Sequence, residues 1–491
     1  FNAEKVPDID LNFPGDYQAR AHLLTKEFLG DSGNQAFRAG TIETVAEKTA
    51  YGYVLGYFEN CFKMTEEQIK MIPNAEKTRI AIGCQDVKRT TGQHPGGIIV
   101  IPAGYEVYDF TPYQYPADDL EATWFTTHFD FHAIHDNVLK LDLLGHVDPI
   151  ALKFLENETG IKPVDIPLND AVVHSIFGSR EALNCSSNYM NEITGALGLP
   201  EFGTALTRNM LEEIRPKTFA DLVLISGLSH GTDVWAGNAQ ELLRNKVCGV
   251  DGIIACRDDV MIYLIAHGVN NSVAFKTMES VRKGKKIPKE YMEEIVNCGV
   301  PDYYIESANK CKYLFPKAHA IAYVTMAVRI AWFKVHKPLA YYACFFSTRA
   351  KQFDLHAMIG GIESILKTLE EIKNKKANRI QTPKDDEIEK TLHIALEMYE
   401  RGYEIHNIDL YKSQATKFVV DEENNAIIAP FTVIDGLGDG PAQSVIDARI
   451  RPFVSQEDLA FRTKLNTQNI ENLRKLGVLK ELPEEDQIRL F

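Results

Sequence analysis

Polar and apolar residues alternate strictly in two short stretches that lie far apart in the chain. In Pro7-Asp8-Ile9-Asp10-Leu11-Asn12-Phe13, the polar Asp8, Asp10 and Asn12 interleave with Ile9, Leu11 and Phe13. That is the period of a half-buried β-strand, so both carboxylates leave one face with their Cα atoms about 7 Å apart. In Leu139-Lys140-Leu141-Asp142-Leu143-Leu144-Gly145, the side chains of Leu139, Leu141 and Leu143 share one face and those of Lys140 and Asp142 the other. Three acids on two such strands can cage a hard divalent cation, which takes oxygen ligands. A single Asp more often caps a turn or faces water, a reading that weakens when two acids share a strand face inside apolar sequence.

The first strand leads through a turn at Pro14-Gly15-Asp16 into a helix, and the pattern from Thr41 to Lys88 is helical, with a capping box at Thr65-Glu66-Glu67-Gln68. Arg89-Thr90-Thr91-Gly92-Gln93-His94-Pro95-Gly96-Gly97 reads as a Gly-rich turn feeding the strand Ile98–Pro102, with Arg89 and His94 as its polar rim. His128, Asp130 and His132 alternate on one strand face with His135 beyond it, which fits polar neighbours of the acidic site better than a zinc centre of its own.

From about residue 150 to 365 helical periodicity dominates. One loop, Ser226 to Trp235, concentrates hydroxyl and imidazole groups around Ser229 and His230, and Val281–Lys289 holds five cations in nine residues. Such a run is ordinarily a solvated surface, and here it is also the best candidate for gripping phosphates. After Phe315-Pro316, a helix is predicted through Lys317, His319 and Tyr323. Residues 366–385 read as a charged helix running into a linker near Pro383. Val433 to Ala442, with Gly436, Gly438 and Gly440, has the form of a helix-hairpin-helix turn whose outward N–H groups can seat a DNA phosphate. The end, Gln487-Ile488-Arg489-Leu490-Phe491, reads as a docking peptide.

Composition adds bounds. A chain of 491 residues holds about three domains. The net charge of −15 confines nucleic-acid contacts to local basic patches. Eight dispersed cysteines suit a reducing compartment. The spacing of Cys248, Cys256, Cys298 and Cys311 favours buried free thiols, with a structural Zn²⁺ as the lesser alternative. The most apolar helical stretch, Ala320–Phe333, is too short for a membrane span and contains Arg329. Phe1 follows no initiator Met, so a fragment of a longer protein is expected.

Taken together, the two acidic strands, the Arg89–Gly97 run, Gly227-Leu228-Ser229-His230-Gly231-Thr232-Asp233-Val234-Trp235 and Phe315-Pro316-Lys317-Ala318-His319-Ala320 resemble the C-terminal part of a PolC-type replicative DNA polymerase, a bacterial C-family enzyme related to the DNA polymerase III alpha subunit. The resemblance implies a multidomain α+β fold: a polymerase-beta-like nucleotidyltransferase palm, largely helical thumb and fingers, and a C-terminal helix-hairpin-helix region. The palm would occupy 1–40 and 89–150, the thumb 41–88, the fingers 151–365, the duplex- and clamp-binding region 366–486, and a clamp-binding tail 487–491.

It also implies template-directed addition of dNTPs to a primer 3′-hydroxyl by two-metal phosphoryl transfer. Asp8, Asp10 and Asp142 would hold two Mg²⁺ ions, with Mn²⁺ as an alternative, and Lys140 would assist. Ser229, His230, Arg282, Lys283, Lys285, Phe315, Lys317 and His319 would meet the nucleotide. Gly436, Gly438 and Gly440 would meet DNA, and Gln487, Leu490 and Phe491 the sliding clamp (beta). The implied setting is the bacterial cytoplasm at the nucleoid, with primer–template DNA and other replisome subunits as partners and no membrane. Exonuclease and PHP regions and a Gly-Ser loop of the palm are expected before Phe1. Two other classes remain open: a metal-dependent phosphohydrolase using His128, Asp130, His132 and the aspartates, and a non-catalytic DNA- and clamp-binding module.

Overall fold

Both acidic stretches are strands, and they are neighbours. The computed structural model describes residues 9–29, 35–116 and 119–485; Asp8, Gln487, Leu490 and Phe491 lie outside the described residues. The chain divides into two units, Phe1–Ile150 and Ala151–Phe491.

In the first unit, strands β1 (Ile9–Pro14), β2 (Ala36–Thr44), β3 (Lys88–Val100), β4 (Tyr113–Gln114), β5 (Thr126–Asp130) and β6 (Leu139–His146) form one mixed sheet in the order β1-β6-β3-β2-β5-β4. β1 runs parallel to β6, while β3 is antiparallel to both β6 and β2. Helix α1 (Gln18–Leu29) covers one face, where Ala21 packs with Ala36, Ile98, Trp124 and Leu143. The opposite face buries Phe37, Ala39 and Ile99 against Ile134 and Val138. Asp142 lies on the face opposite to Leu143, as period-2 alternation requires. β1 is an edge strand, so its apolar side is incompletely covered and Leu11 remains 43% exposed.

The Arg89–Gly97 run is not a turn. It lies inside β3, where Gly92 pairs with Thr41 of β2 and Gly97 with Asp142 of β6, and His94, Pro95 and Gly96 sit where the register with β2 shifts as at a bulge. The helical stretch expected from Thr41 begins only at Glu47, because Thr41–Thr44 continue β2. Helices α2 (Glu47–Asn60), α3 (Glu66–Met71) and α4 (Asn74–Cys84) then form an insertion with its own small core of Val45, Ala50, Val54 and Ala81. Thr65 and Gln68 close the expected capping box at the start of α3. The alternation at His128 ends at Asp130, since Phe131–Ile134 is a helical turn. β5 is separated from β6 by β3 and β2, so His128 is not beside Asp142; its Nδ1 lies 2.7 Å from Gln114 Oε1.

The second unit is mainly helical, with a small sheet of Glu404–His406, Val419–Asp421 and Ala426–Ile428. The helices used below are α5 (Phe219–His230), α6 (Arg257–Ala266), α7 (Asn271–Val281), α8 (Lys317–His336), α9 (Pro383–Glu400) and α10 (Asp439–Ala448). Pro383 does not mark a linker. It opens α9, where its missing N–H costs nothing, behind a capping box of Thr382 and Asp385. Lys375 and Lys376 of the preceding helix pair with Asp385 and Glu389, so the charged segment is packed against α9.

Deep in this unit, Lys334 of α8 is wholly buried. Its Nζ donates to Gly195 O at 2.8 Å and Leu197 O at 2.5 Å, and sits 2.8 Å from Glu397 Oε1. Burial draws the lysine pKa down and Glu397 pulls the other way. Tyr342 donates to Glu397 at 2.9 Å and accepts from Arg401 at 3.2 Å. No described helix is long and apolar enough to cross a membrane.

Candidate active site

Strand register brings the two described aspartates together. Asp10 of β1 is the direct partner of Asp142 of β6, and neighbouring strands lie about 4.8 Å apart, so both carboxylates leave the same face side by side. On the other side of Asp142, its β3 partner is Gly97. Only a residue without a side chain fits there: a Cβ on Gly97 would come within 2.9 Å of Ala39 Cβ, His94 Nδ1 and Lys140 Cε. Gly97→Ala is therefore expected to displace His94 and Lys140 and to cost the sheet about 1–3 kcal/mol while leaving a single cooperative melting transition, as checked by calorimetry.

Lys140, two residues before Asp142 on the same face, holds Asp142 Oδ2 at 2.9 Å and lies over the Phe131 ring. The other oxygen, Oδ1, is buried without a hydrogen-bond donor. His94 Nδ1 approaches it to 3.5 Å, but this is not a salt bridge in substance. That nitrogen already accepts the Gly97 N–H at 2.7 Å and the Gly96 N–H at 3.2 Å, so its lone pair, not a proton, faces the carboxylate. Burial, then the charge of Lys140, pull the His94 pKa down, which keeps the ring neutral despite the opposing pull of Asp142.

Asn12 Oδ1, on the same face of β1 as Asp10, is likewise buried with no donor. Oxygens left without protons beside a carboxylate pair fit a hard divalent cation, which seeks such ligands. Among the described residues no three His, Cys, Asp or Glu side chains converge on one point. The group here is two acids and an amide, and Asp8 lies outside the described residues. Asn12 and His94 are the residues whose place here sequence reading missed; the signal for Asn12 was its shared parity with Asp10.

Behind the sheet, Arg38 of β2 is 8% exposed. Its Nη2 donates to His94 O and Pro95 O, each at 2.7 Å, and its Nη1 to His22 Nδ1. His22 Nε2 in turn lies 3.2 Å from Leu143 O.

In the second unit, five of the expected nucleotide residues gather where α5 ends and α8 begins. Ser226 to His230 are not a loop but the last turn of α5, which opens on a Thr218–Asp221 capping box. Gly227 suits that turn because a Cβ there would meet Cys256 Sγ at 2.5 Å. The His230 ring stacks on Phe315 at 4.4 Å, and His319 and Tyr323 add ring contacts of 6.0 and 6.4 Å to Phe315. Ser229 Oγ donates to Ser226 O. Glu201, whose carboxyl burial pushes up, lies 3.5 Å from His230 Nε2 and accepts from Ser226.

Lys317 starts α8 with its N–H on Asp258 and its Nζ on Asp259, each at 2.8 Å. The turn after α7 packs against the same strip, with Leu314 N donating to Arg282 O. Arg282 forms a forked pair with Glu279, whereas Lys283 and Lys285 are exposed. An apolar cavity of about 550 Å³ lined by Phe219, Leu224, Tyr263 and Ile321 reaches Lys317 and Asp259, not Ser229, His230 or Phe315.

All eight cysteines are free; of the four expected as buried thiols, Cys256 and Cys311 are buried, whereas Cys248 and Cys298 are half-buried. In the hairpin, Gly436 has φ +78°, a left-handed conformation that favours glycine, and Gly438 caps α10. Gly440 lies inside the first turn of α10. A Cβ on any of the three would meet nothing, so the surface in front of α10 is open to a backbone from outside. A groove of about 410 Å³ runs from Thr432–Gly438 to Lys351.

Residues 1–145 match the bacterial DNA polymerase III alpha NTPase domain, 149–299 the finger domain of the same subunit, and 402–488 a helix-hairpin-helix motif. The whole chain aligns with proteins described as DNA polymerase III PolC-type: 51% identical in Oceanobacillus iheyensis, 52% in Bacillus cereus and 51% in Bacillus subtilis. It spans 34%, 33% and 33% of those relatives, about a third of their length.

Proposed function

Because the chain belongs to the PolC-type DNA polymerase III family, we propose that it carries the nucleotidyl-transfer site of a replicative DNA polymerase, adding dNTPs to a primer 3′-hydroxyl under template direction. One observation carries the reading: Asp10 and Asp142 stand in register on adjoining parallel strands, with an Asp142 oxygen buried and without a proton donor. Asp8, Asp10 and Asp142 are the proposed ligands, with Asn12 beside them. Divalent cations bound there, Mg²⁺ or Mn²⁺, supply charge neutralisation for the triphosphate and acidify the attacking hydroxyl.

The chain's own groups do the rest. Lys140 limits the repulsion between the carboxylates by holding Asp142 Oδ2. His94, neutral and pinned by two backbone N–H groups, keeps a fixed wall beside Asp142. Ser229, His230, Phe315 and His319 offer a stacked aromatic and hydroxyl surface to a base and sugar. Lys283 and Lys285 offer free cations to phosphates, and Lys317 does so on leaving Asp259; Arg282, committed to Glu279, has the weakest case.

In this reading residues 1–40 and 89–150 form a nucleotidyltransferase palm, 41–88 a thumb, 151–365 fingers, 366–486 a duplex- and clamp-binding region, and 487–491 a clamp-binding tail. The sliding clamp and other replisome subunits are its proposed protein partners, and the bacterial nucleoid its proposed setting. Gly436, Gly438 and Gly440 would let α10 approach a DNA phosphate, with Lys351 across the groove. Lys351→Gln should then weaken duplex binding equally across sequences and reduce the logarithmic salt slope by about 1, measured by anisotropy titrations at several salt concentrations.

The defining experiment is primer extension by the full-length polymerase with each dNTP alone, with and without chelator. Incorporation of the template-matched dNTP only, abolished by the chelator, is expected. Release of phosphate without template would replace polymerisation with hydrolysis.

A further inference from the structure

We propose that Arg38 and His22 are a positioning pair for the aspartate site, a buried fork that fixes Asp142 against β3 for cation binding. The inference rests on the reading of Asp10 and Asp142 as cation ligands. Among the described residues, the side-chain partners of Arg38 are an imidazole and two peptide carbonyls; no carboxylate answers its charge. Burial lowers its pKa, and its Nε is buried with no partner. A cation kept under these conditions is costly to stability, since burying charge without a counter-charge is unfavourable.

What the guanidinium gives in return is geometry. Its planar fork holds the consecutive carbonyls of His94 and Pro95 with one nitrogen and reaches His22 with the other, which a lysine ammonium cannot reproduce. Because Arg38 has only donors, His22 Nδ1 must accept, so the proton of His22 sits on Nε2 and is donated to Leu143 O at 3.2 Å. Gln18 Nε2 donates to the same carbonyl at 2.7 Å.

The chain of bonds closes on Asp142 from both sides. Leu143 is its sequence neighbour, and His94 is tied to Gly97, its partner across the sheet. Arg38 and His22 thus set the spacing of β6 and β3 where the aspartate stands, without touching the reacting groups. Groups bonded directly to metal ligands commonly carry about 10–100-fold of metal affinity; Arg38 and His22 act one step further out, through the backbone at Leu143 and His94, so an effect at the low end of that range is expected.

The test measures Mn²⁺ binding to the full-length polymerase by electron paramagnetic resonance. The relevant component is the Mn²⁺ held by wild type and not by Asp142→Asn. Arg38→Lys, Arg38→Met and His22→Gln are expected to weaken that component about tenfold while melting cooperatively and binding primer–template DNA as wild type does. A purely structural role predicts the reverse order, with melting changed and Mn²⁺ affinity untouched. Affinity within about twofold of wild type in Arg38→Lys and Arg38→Met, or affinity lost only together with cooperative melting in all three variants, overturns the proposal. Wild-type Mn²⁺ binding by Asp142→Asn overturns the aspartate reading itself, a result distinguishable from intact affinity in the Arg38 variants alone.

Discussion

Asp142→Asn should lower primer extension by on the order of 10³-fold or more, about 4 kcal/mol of transition-state stabilisation, with primer–template affinity nearly unchanged. The substitution keeps the shape of the side chain and removes its charge. Oδ2 loses its ion pair with Lys140, and the amide presents either a weaker oxygen or two protons to the position that Oδ1 leaves open. The face then holds one described carboxylate, Asp10, and a lysine that has lost its ion-pair partner. Rapid-quench extension with saturating dNTP measures the chemical step, and anisotropy with labelled duplex measures binding. Extension near the wild-type rate would remove Asp142 from the site, whatever happens to DNA affinity.

The second large effect is on stability. Lys334→Met should cost the unit Ala151–Phe491 about 3–5 kcal/mol, because Glu397 is left buried with a negative charge and no cation bonded to it. The carbonyls of Gly195 and Leu197 lose their donor as well. Adding Glu397→Gln should return part of the loss, since the buried negative charge is then gone and the amide oxygen still accepts from Tyr342. Urea melts followed by tryptophan fluorescence give the midpoints. A single variant that loses less than about 1 kcal/mol would mean that water reaches this cluster and screens it.

The acidic strands were legible because their information is local: alternation over seven residues fixes which side chains share a face. Register was not in that pattern. That Asp10 and Asp142 are direct partners follows from the sheet order, in which β6 returns beside β1 after more than a hundred residues. β3 was misread for a physical reason. Gly92, Pro95, Gly96 and Gly97 signal a turn by propensity, but Pro95 and Gly96 fall where the register with β2 shifts, and close neighbours leave no room for a Cβ on Gly96 or Gly97. The end of α5 was misread likewise: Ser226, Gly227 and Ser229 look like loop residues, yet Gly227 is small because Cys256 presses on it. Arg38 and His22 carried no local signal at all. Their meaning lies in bonds to residues 56, 57 and 121 positions away.

The three-helix insertion leaves β2 at Thr44 and re-enters β3 at Lys88, and these two residues are register partners. Val45 and Val87, just beyond them, are still joined by a 3.0 Å backbone hydrogen bond. The segment therefore departs and returns through a single doorway at the open end of the β2–β3 pair. Over generations such a piece can lengthen, shrink or be exchanged for another while the strands beneath it stay in place. A change in the insertion's length is thereby expected to leave the strands that carry the aspartates where they are.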